Sequence, residues 1–415
     1  MQSPPNPRND TKIIAVLFMR PRALLRRIIP MFRWLLLLAA LAVVPLGLLT
    51  VFKSPDWAPW RLVVLAGEYG HQLALGPLLI AALAWWSRGA SAGLATGTAL
   101  LCAVAFGLLL KPSVEARLLA RTLPEKLQKQ FGRVELARAP FSFGALFGGV
   151  EGPAPVETMK YSGELALDLY RASVRAPADG PAASGNRAPC VIVVHGGGWD
   201  GGDRAEIAHF DRWLAGCGYT VASIDYRLAP QFPWPAQRDD VLAAIAFLKK
   251  NAAALGVDAT RLVLLGRSAG GNIAEAVAYG ADAPAVRGVV ALYAPADLHF
   301  AWAYARDDDV LKSPVLLRQF LGGPPATAEA AYDGASGYLH VGPATPPTLL
   351  LHGQLDTLVW HRQSERLDGK LSAAGVPHLF VSLPWATHAF EFNLHGPGGQ
   401  LTTFALEWFL AAVTR

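Results

Sequence analysis

Leu262-Val263-Leu264-Leu265-Gly266-Arg267-Ser268-Ala269-Gly270-Gly271-Asn272-Ile273 is the stretch that decides the fold. Its first four residues are a short continuous apolar run, as in a buried strand, and Asn272–Tyr279 has helical patterning. A strand therefore runs straight into a glycine-flanked serine, and a helix leaves it. So tight a turn has no room for side chains at its flanks, which is why glycines stand there. Ser268 is held out above the sheet, at a helix N-terminus whose free amides favour developing negative charge. This is the setting of a nucleophile elbow, although by itself the motif is equally an ordinary Gly-Ser turn.

The same alternation extends on both sides. Val191–Val194, Thr220–Asp225, Val289–Tyr293, Thr348–His352 and His378–Leu383 read as strands. Helices are predicted at about Arg204–Ala215, Ala236–Lys250, His361–Ala374 and Leu401–Val413. Nearly continuous apolar strands alternating with helices imply an α/β fold, a mostly parallel sheet with helices on both faces. Chemistry in such sheets collects at the carboxyl ends of strands.

Three further motifs fall at such ends. His195-Gly196-Gly197-Gly198-Trp199 follows the Val191–Val194 strand. Its glycines let backbone N–H groups approach an oxyanion, and Gly197, Gly198 and Ala269 are the expected donors. Gly196 is assigned to shaping the turn and His195 to fixing the loop. A phosphate-binding loop fits poorly, because no Gly-Lys-Ser/Thr follows. Asp356, after the Thr348–Leu351 strand, is a carboxylate placed to orient an imidazole; an Asx turn or helix cap is its plainer reading. His388, after the last strand, is the expected general base, although any one of ten histidines means little alone. Together, the order Ser268, Asp356, His388 is the nucleophile–acid–base order of α/β-hydrolases.

On these motifs, with Asp225-Tyr226-Arg227-Leu228-Ala229-Pro230, residues 160–415 resemble the α/β-hydrolase esterases of the hormone-sensitive-lipase and BD-FAE-like carboxylesterase groups. The resemblance implies carboxylic-ester hydrolysis through an acyl-serine, with no metal and no organic cofactor. Two departures stand out: Arg267 where the lipase-like group usually has Asp before the serine, and Gln354-Leu355-Asp356 in place of Asp-Pro-Leu. Arg267 is read either as a contact for an anionic substrate group or as a surface salt bridge. Trp199 and Phe390 are read as pocket lining or as core. Asp225–Pro230 is expected to pin the loop beneath the oxyanion glycines. A serine peptidase or an acyltransferase would use the same triad.

Composition adds a second feature. Apolar residues make up 52% of the 415 and charged ones 17%, which excludes a disordered chain and points to lipid contact. Residues 1–149 hold 17 Lys and Arg against 6 Asp and Glu, whereas residues 150–415 hold 20 against 26. The basic half is the greasy half, so the basic balance argues against nucleic acid and for membrane orientation. The spans read as about 34–52, 71–86 and 90–110, some three transmembrane helices after a basic segment at 1–33. A cleaved signal peptide fits less well, because the first run starts late and two more follow. An amphipathic connector or lid is expected over 111–159, with Phe141–Phe147 taken as packing. Basic residues before the first span place the N-terminus in the cytoplasm, and three crossings put the hydrolase domain on the non-cytoplasmic side. The expected partners are the lipid bilayer and a small-molecule or lipophilic ester, with no nucleic acid. The three cysteines exclude a disulfide-built scaffold. Cys190 and Cys217 precede neighbouring strands, either as a disulfide or as core thiols.

Overall fold

The computed structural model describes residues 21–89, 91–149, 156–173 and 187–415. The proline-rich loop expected at 176–188 falls almost wholly outside them. The chain forms two compact units. One comprises the described part of Met1–Leu48 with His71–Leu110, and the other Leu49–Gly70 with Lys111–Arg415.

The first unit is helical. Helix α1 spans Pro21–Leu48, and α2 (Trp57–Glu68), which belongs to the second unit, follows it in sequence. Next come α3 (Gly70–Leu73), α4 (Leu75–Trp86) and α5 (Ala92–Ala120). Among the described residues, two helices have the length and composition to cross a membrane: Ile28–Leu48, of mean hydropathy 2.1, and Ala92–Ala120, of mean hydropathy 2.0. The expected middle span is built as α3 and α4, joined through Ala74 in helical backbone. Together they reach about 25 Å at 1.5 Å per residue, short of a typical ~30 Å hydrocarbon core. The outer spans also shift. The first helix stops at Leu48, before residue 52, and the third continues as a helix well past Leu110.

The second unit is built on one eight-stranded sheet. Its strands are β1 (Glu157–Ser162), β2 (Leu165–Tyr170), β3 (Ala188–Val194), β4 (Thr220–Ile224), β5 (Val257–Arg267), β6 (Gly288–Leu292), β7 (Thr348–Gly353) and β8 (His378–Leu383). Their spatial order is β1-β2-β4-β3-β5-β6-β7-β8. The β1–β2 and β2–β4 pairs are antiparallel, and every pair from β4 through β8 is parallel. This is the α/β-hydrolase arrangement. The β1–β2 hairpin was not foreseen: β1 is largely polar and exposed, and Asp168 interrupts the apolar run of β2, so the signal is weaker than that of the solid apolar strands of the sheet centre.

Helices α6 (Leu123–Phe131), α7 (Ala208–Gly216), α8 (Ala236–Lys250), α9 (Ala252–Leu255) and α10 (Ala269–Tyr279) come next in chain order. They are followed by α11 (Leu298–Tyr304), α12 (Ser313–Leu321), α13 (Pro325–Ala335), α14 (Gly337–His340), α15 (Arg362–Ala373) and α16 (Pro397–Val413). Side chains alternate along each central strand, so the sheet faces two cores. Ile192, Val194 and Leu264 pack with α8 and α10 on one face. Val191, Val193 and Leu265 pack with α7 and α16 on the other. The 111–149 stretch joins the second core through Ala116, Leu127, Phe141 and Leu146, whereas Phe143 and Phe147 are exposed. Helices α11–α14, between β6 and β7, had no counterpart in the sequence reading.

Candidate active site

Ser268 lies between β5 and α10 with φ 52° and ψ −120°, a conformation an L-residue holds only when its surroundings impose it. They do so here. The Ser268 N–H donates to Leu292 O at 2.9 Å, and Asn272 N–H donates back to Ser268 O at 3.1 Å. A Cβ on Gly270 would overlap the carbonyls of Val194 and His195, so only glycine lets the elbow sit against the end of β3.

That contact brings the glycine loop beside the serine. Gly197 (φ 103°) and Gly198 (φ 62°) both lie in the left-handed region, and a Cβ on Gly197 would overlap Gly201. The Gly196 N–H is committed to Glu206 Oε2 at 2.6 Å, so Gly196 shapes the turn as expected. His195 is structural as well: buried, with Nδ1 2.7 Å from Gly196 O and its ring stacked on Tyr226 at 4.1 Å. Tyr226 Oη donates to the carbonyls of His195 and Gly196 at 3.1 and 3.2 Å, and Ala229 N–H donates to Trp199 O at 2.9 Å. The Asp225–Pro230 segment thus pins the loop from below.

Asp356 and His388 meet after β7 and β8. His388 Nδ1 is 2.7 Å from Asp356 Oδ2, and the other carboxylate oxygen accepts the N–H groups of Leu358 and Val359 at 2.8 and 3.0 Å. His352 Nε2 also approaches Oδ2, at 3.2 Å. Burial alone would raise the Asp356 pKa. The charge of His388 and the hydrogen bonds from His352 and His388 outweigh it, holding the carboxyl well below the usual range. Among the described residues no hydrogen bond joins Ser268 Oγ to the His388 ring, a contact that often tightens only with substrate bound.

A cavity of about 670 Å³ opens beside Asp356, the one member of the candidate triad among its lining residues. Its lining includes Trp199, Pro295, Phe300, Tyr304, Leu316 and the acid loop from Asp356 to Trp360. Trp199 therefore lines the pocket, held by stacking on Phe320 at 4.4 Å and by Nε1–H donation to Asn272 Oδ1 at 3.2 Å.

Two of the substrate contacts expected from sequence need correction. Arg267 is neither a substrate contact nor a surface salt bridge. Its side chain is 1% exposed, with Nε 3.1 Å from Glu391 Oε1, Nη2 3.8 Å from Asp211 and the guanidinium over the Phe210 ring. The elbow leaves Ser268 on the outer side of the turn and sends the preceding side chain into the core. Phe390 is core too: it is buried and meets Tyr293 edge-on. Cys190 and Cys217 are separate thiols, and Cys217 Sγ lies 3.2 Å from Glu407. Sequence reasoning also missed Glu391, Asp211, Tyr293 and Glu206. Glu391, Asp211 and Tyr293 are far from their partners along the chain, Glu206 is near its partner Gly196, and no local motif marks any of them. Among the described residues no group of three or more His, Cys, Asp or Glu side chains is placed to hold a metal.

The fold and this cluster define an α/β-hydrolase, and comparison with known proteins narrows the class. The BD-FAE family model matches residues 179–371. An ethyl acetate hydrolase from Pseudomonas putida is 30% identical over 239 residues, covering 54% of this chain and 71% of the relative. The probable carboxylic ester hydrolase LipM of Mycobacterium tuberculosis is 28% identical over 236 residues, 54% of each chain. Among solved structures, esterase B from Lactobacillus rhamnosis superposes with TM-score 0.53 at 22% identity, covering 72% of this chain and 94% of that one. A hyperthermophilic esterase from Pyrobaculum calidifontis gives 0.52 at 24%, with the same 72% and 94%. The chain belongs to this family of carboxylic ester hydrolases with the α/β-hydrolase fold. It spans about half the length of LipM and of the esterase LipQ, which it also matches.

Proposed function

We propose that the protein is a membrane-anchored serine hydrolase that cleaves carboxylic esters through an acyl-serine. The Asp356–His388 pair beside the strained Ser268 elbow carries the reading. Ser268 Oγ attacks the ester carbonyl carbon while His388 Nε2 takes its proton. Asp356 holds the opposite N–H, which leaves Nε2 free to accept, and it stabilises the imidazolium. The N–H groups of Gly197, Gly198 and Ala269 receive the oxyanion; losing one such donor typically costs about 100–1000-fold in rate. Collapse breaks the bond to the alkoxide, which leaves with the proton from His388. Water then repeats the sequence on the acyl-serine and restores Ser268.

The aromatic lining of the cavity favours an ester with an apolar arm. The two apolar helices support anchoring, and Trp34, Leu35, Leu38 and Leu41 on α1 are exposed, as a lipid-facing surface requires. The hydrolase domain then lies on the non-cytoplasmic side.

The test is hydrolysis of p-nitrophenyl esters from acetate to palmitate by the full-length protein and its Ser268→Ala variant. Activity confined to the wild type is expected. Fluorophosphonate labelling of Ser268 without ester turnover would favour a peptidase or acyltransferase. Folded wild-type protein that shows neither sinks the serine-hydrolase reading.

A further inference from the structure

Lys53, Ser54 and Pro55 come a few residues after α1 ends at Leu48, yet they line the same cavity as Trp199 and the acid loop. They lie outside the residues that the family model matches. Two anchors fasten this stretch to the catalytic loops. Lys53 Nζ donates to the backbone carbonyl of Asp356 at 3.2 Å. At the far end of α2, Glu68 accepts the Gly398 N–H at 2.8 Å and the Trp385 indole N–H at 3.4 Å, and its carbonyl accepts from Asn393 Nδ2 at 3.1 Å. Trp385 and Asn393 bracket His388 in sequence. One end of the 49–70 segment is therefore tied to the acid loop and the other to the loop of the base.

We propose that Lys53–Pro55 forms the wall that sets how long an apolar arm of the ester the active site accepts. The segment between the first two apolar stretches is then a specificity element of the enzyme. The Lys53 methylene stem and the Pro55 ring give this side of the cavity an apolar surface, and Phe300, Tyr304 and Trp360 supply aromatic ones. This rests on the ester-hydrolase reading above and adds its substrate preference.

The experiment uses the full chain in detergent. It measures kcat/KM over p-nitrophenyl acetate to palmitate for wild type, Pro55→Trp and Lys53→Ala, with fluorophosphonate labelling of Ser268 run on each. Pro55 is exposed, so a larger ring there is compatible with folding. Pro55→Trp is expected to lower the palmitate-to-acetate ratio by about tenfold or more, the scale on which hydrophobic pockets discriminate by size. Lys53→Ala, which removes the stem, shifts the ratio the opposite way. Opposite shifts are what general damage does not produce. Profiles that parallel wild type in both variants, with labelling intact, overturn the wall and leave the ester reading standing. A wild type that is neither active nor labelled overturns the ester reading and the wall with it.

Discussion

Asp356 is held by four donors: the His388 and His352 rings and the N–H groups of Leu358 and Val359. Its value to the site is directional. Asp356→Asn keeps the shape but offers His388 an amide that no longer enforces the tautomer with Nε2 free. The expected loss in kcat is roughly 10⁴-fold with KM little changed, read by steady-state ester kinetics. Arg267 has a different role. It is buried beside Glu391 and Asp211, and Tyr293 Oη also bonds Glu391. Arg267→Met strands two buried carboxyl groups, so a loss of about 3–5 kcal/mol in unfolding free energy is expected by urea titration. A variant as stable as wild type would sink the reading of Arg267 as a buried ion-pair partner.

At the scale of elements, α16 starts with Pro397-Gly398, and its buried first-turn N–H groups have no serine, threonine or aspartate at the cap position Gly396. Glu68, from α2, supplies the acceptor instead. Burial pushes the Glu68 carboxyl up to about 8, against the lowering effect of the Gly398, Trp385 and Gly399 hydrogen bonds and with a contribution from Glu391. The unfolded chain releases this proton near pH 4.3, the folded chain only near 8. Stability from this group is therefore complete below the unfolded value and is lost as pH rises towards the folded one. Glu68→Gln keeps an acceptor and cannot ionise. Its melting temperature should exceed that of wild type by a margin that widens from pH 5 to pH 8. A constant margin would place the carboxylate in a solvated, charged state.

At the scale of the whole molecule, the chain path constrains the topology. Residues 49–70 and 111–415 form one compact unit, so if the apolar helices cross a membrane as proposed, the end of α1 and the exit of the last apolar segment are expected on the same side of it. Arg33, at the other end of the first apolar run, bonds the Ser87 carbonyl and the Ser91 hydroxyl in the turn between α4 and α5. Under the proposed anchoring, α3 and α4 are expected to cross as well, short as they are, since local thinning of a bilayer accommodates a short span at modest cost. Alkaline phosphatase fused after Arg415 should be active in a bacterial host, and a fusion after Gly89 inactive. The reverse pattern would put the hydrolase domain in the cytoplasm.

Much of this was legible in residue order. The central strands, the elbow at Ser268 and the Gly197–Gly198 loop announce themselves locally, because a buried parallel strand needs a solid apolar run and a tight turn needs glycine, whereas the candidate acid and base are picked out only by their order after the serine. The hairpin β1–β2, the insertion α11–α14 and the extent of the apolar helices carry weaker local signals. Tertiary structure alone decided where Arg267 and Phe390 point, that Glu391 and Asp211 meet Arg267, and that Lys53 reaches Asp356 across some 300 residues of chain. Local sequence encodes backbone periodicity and turn chemistry. Which distant side chains share a buried space depends on how the strands are ordered in the sheet, and no single segment contains that information.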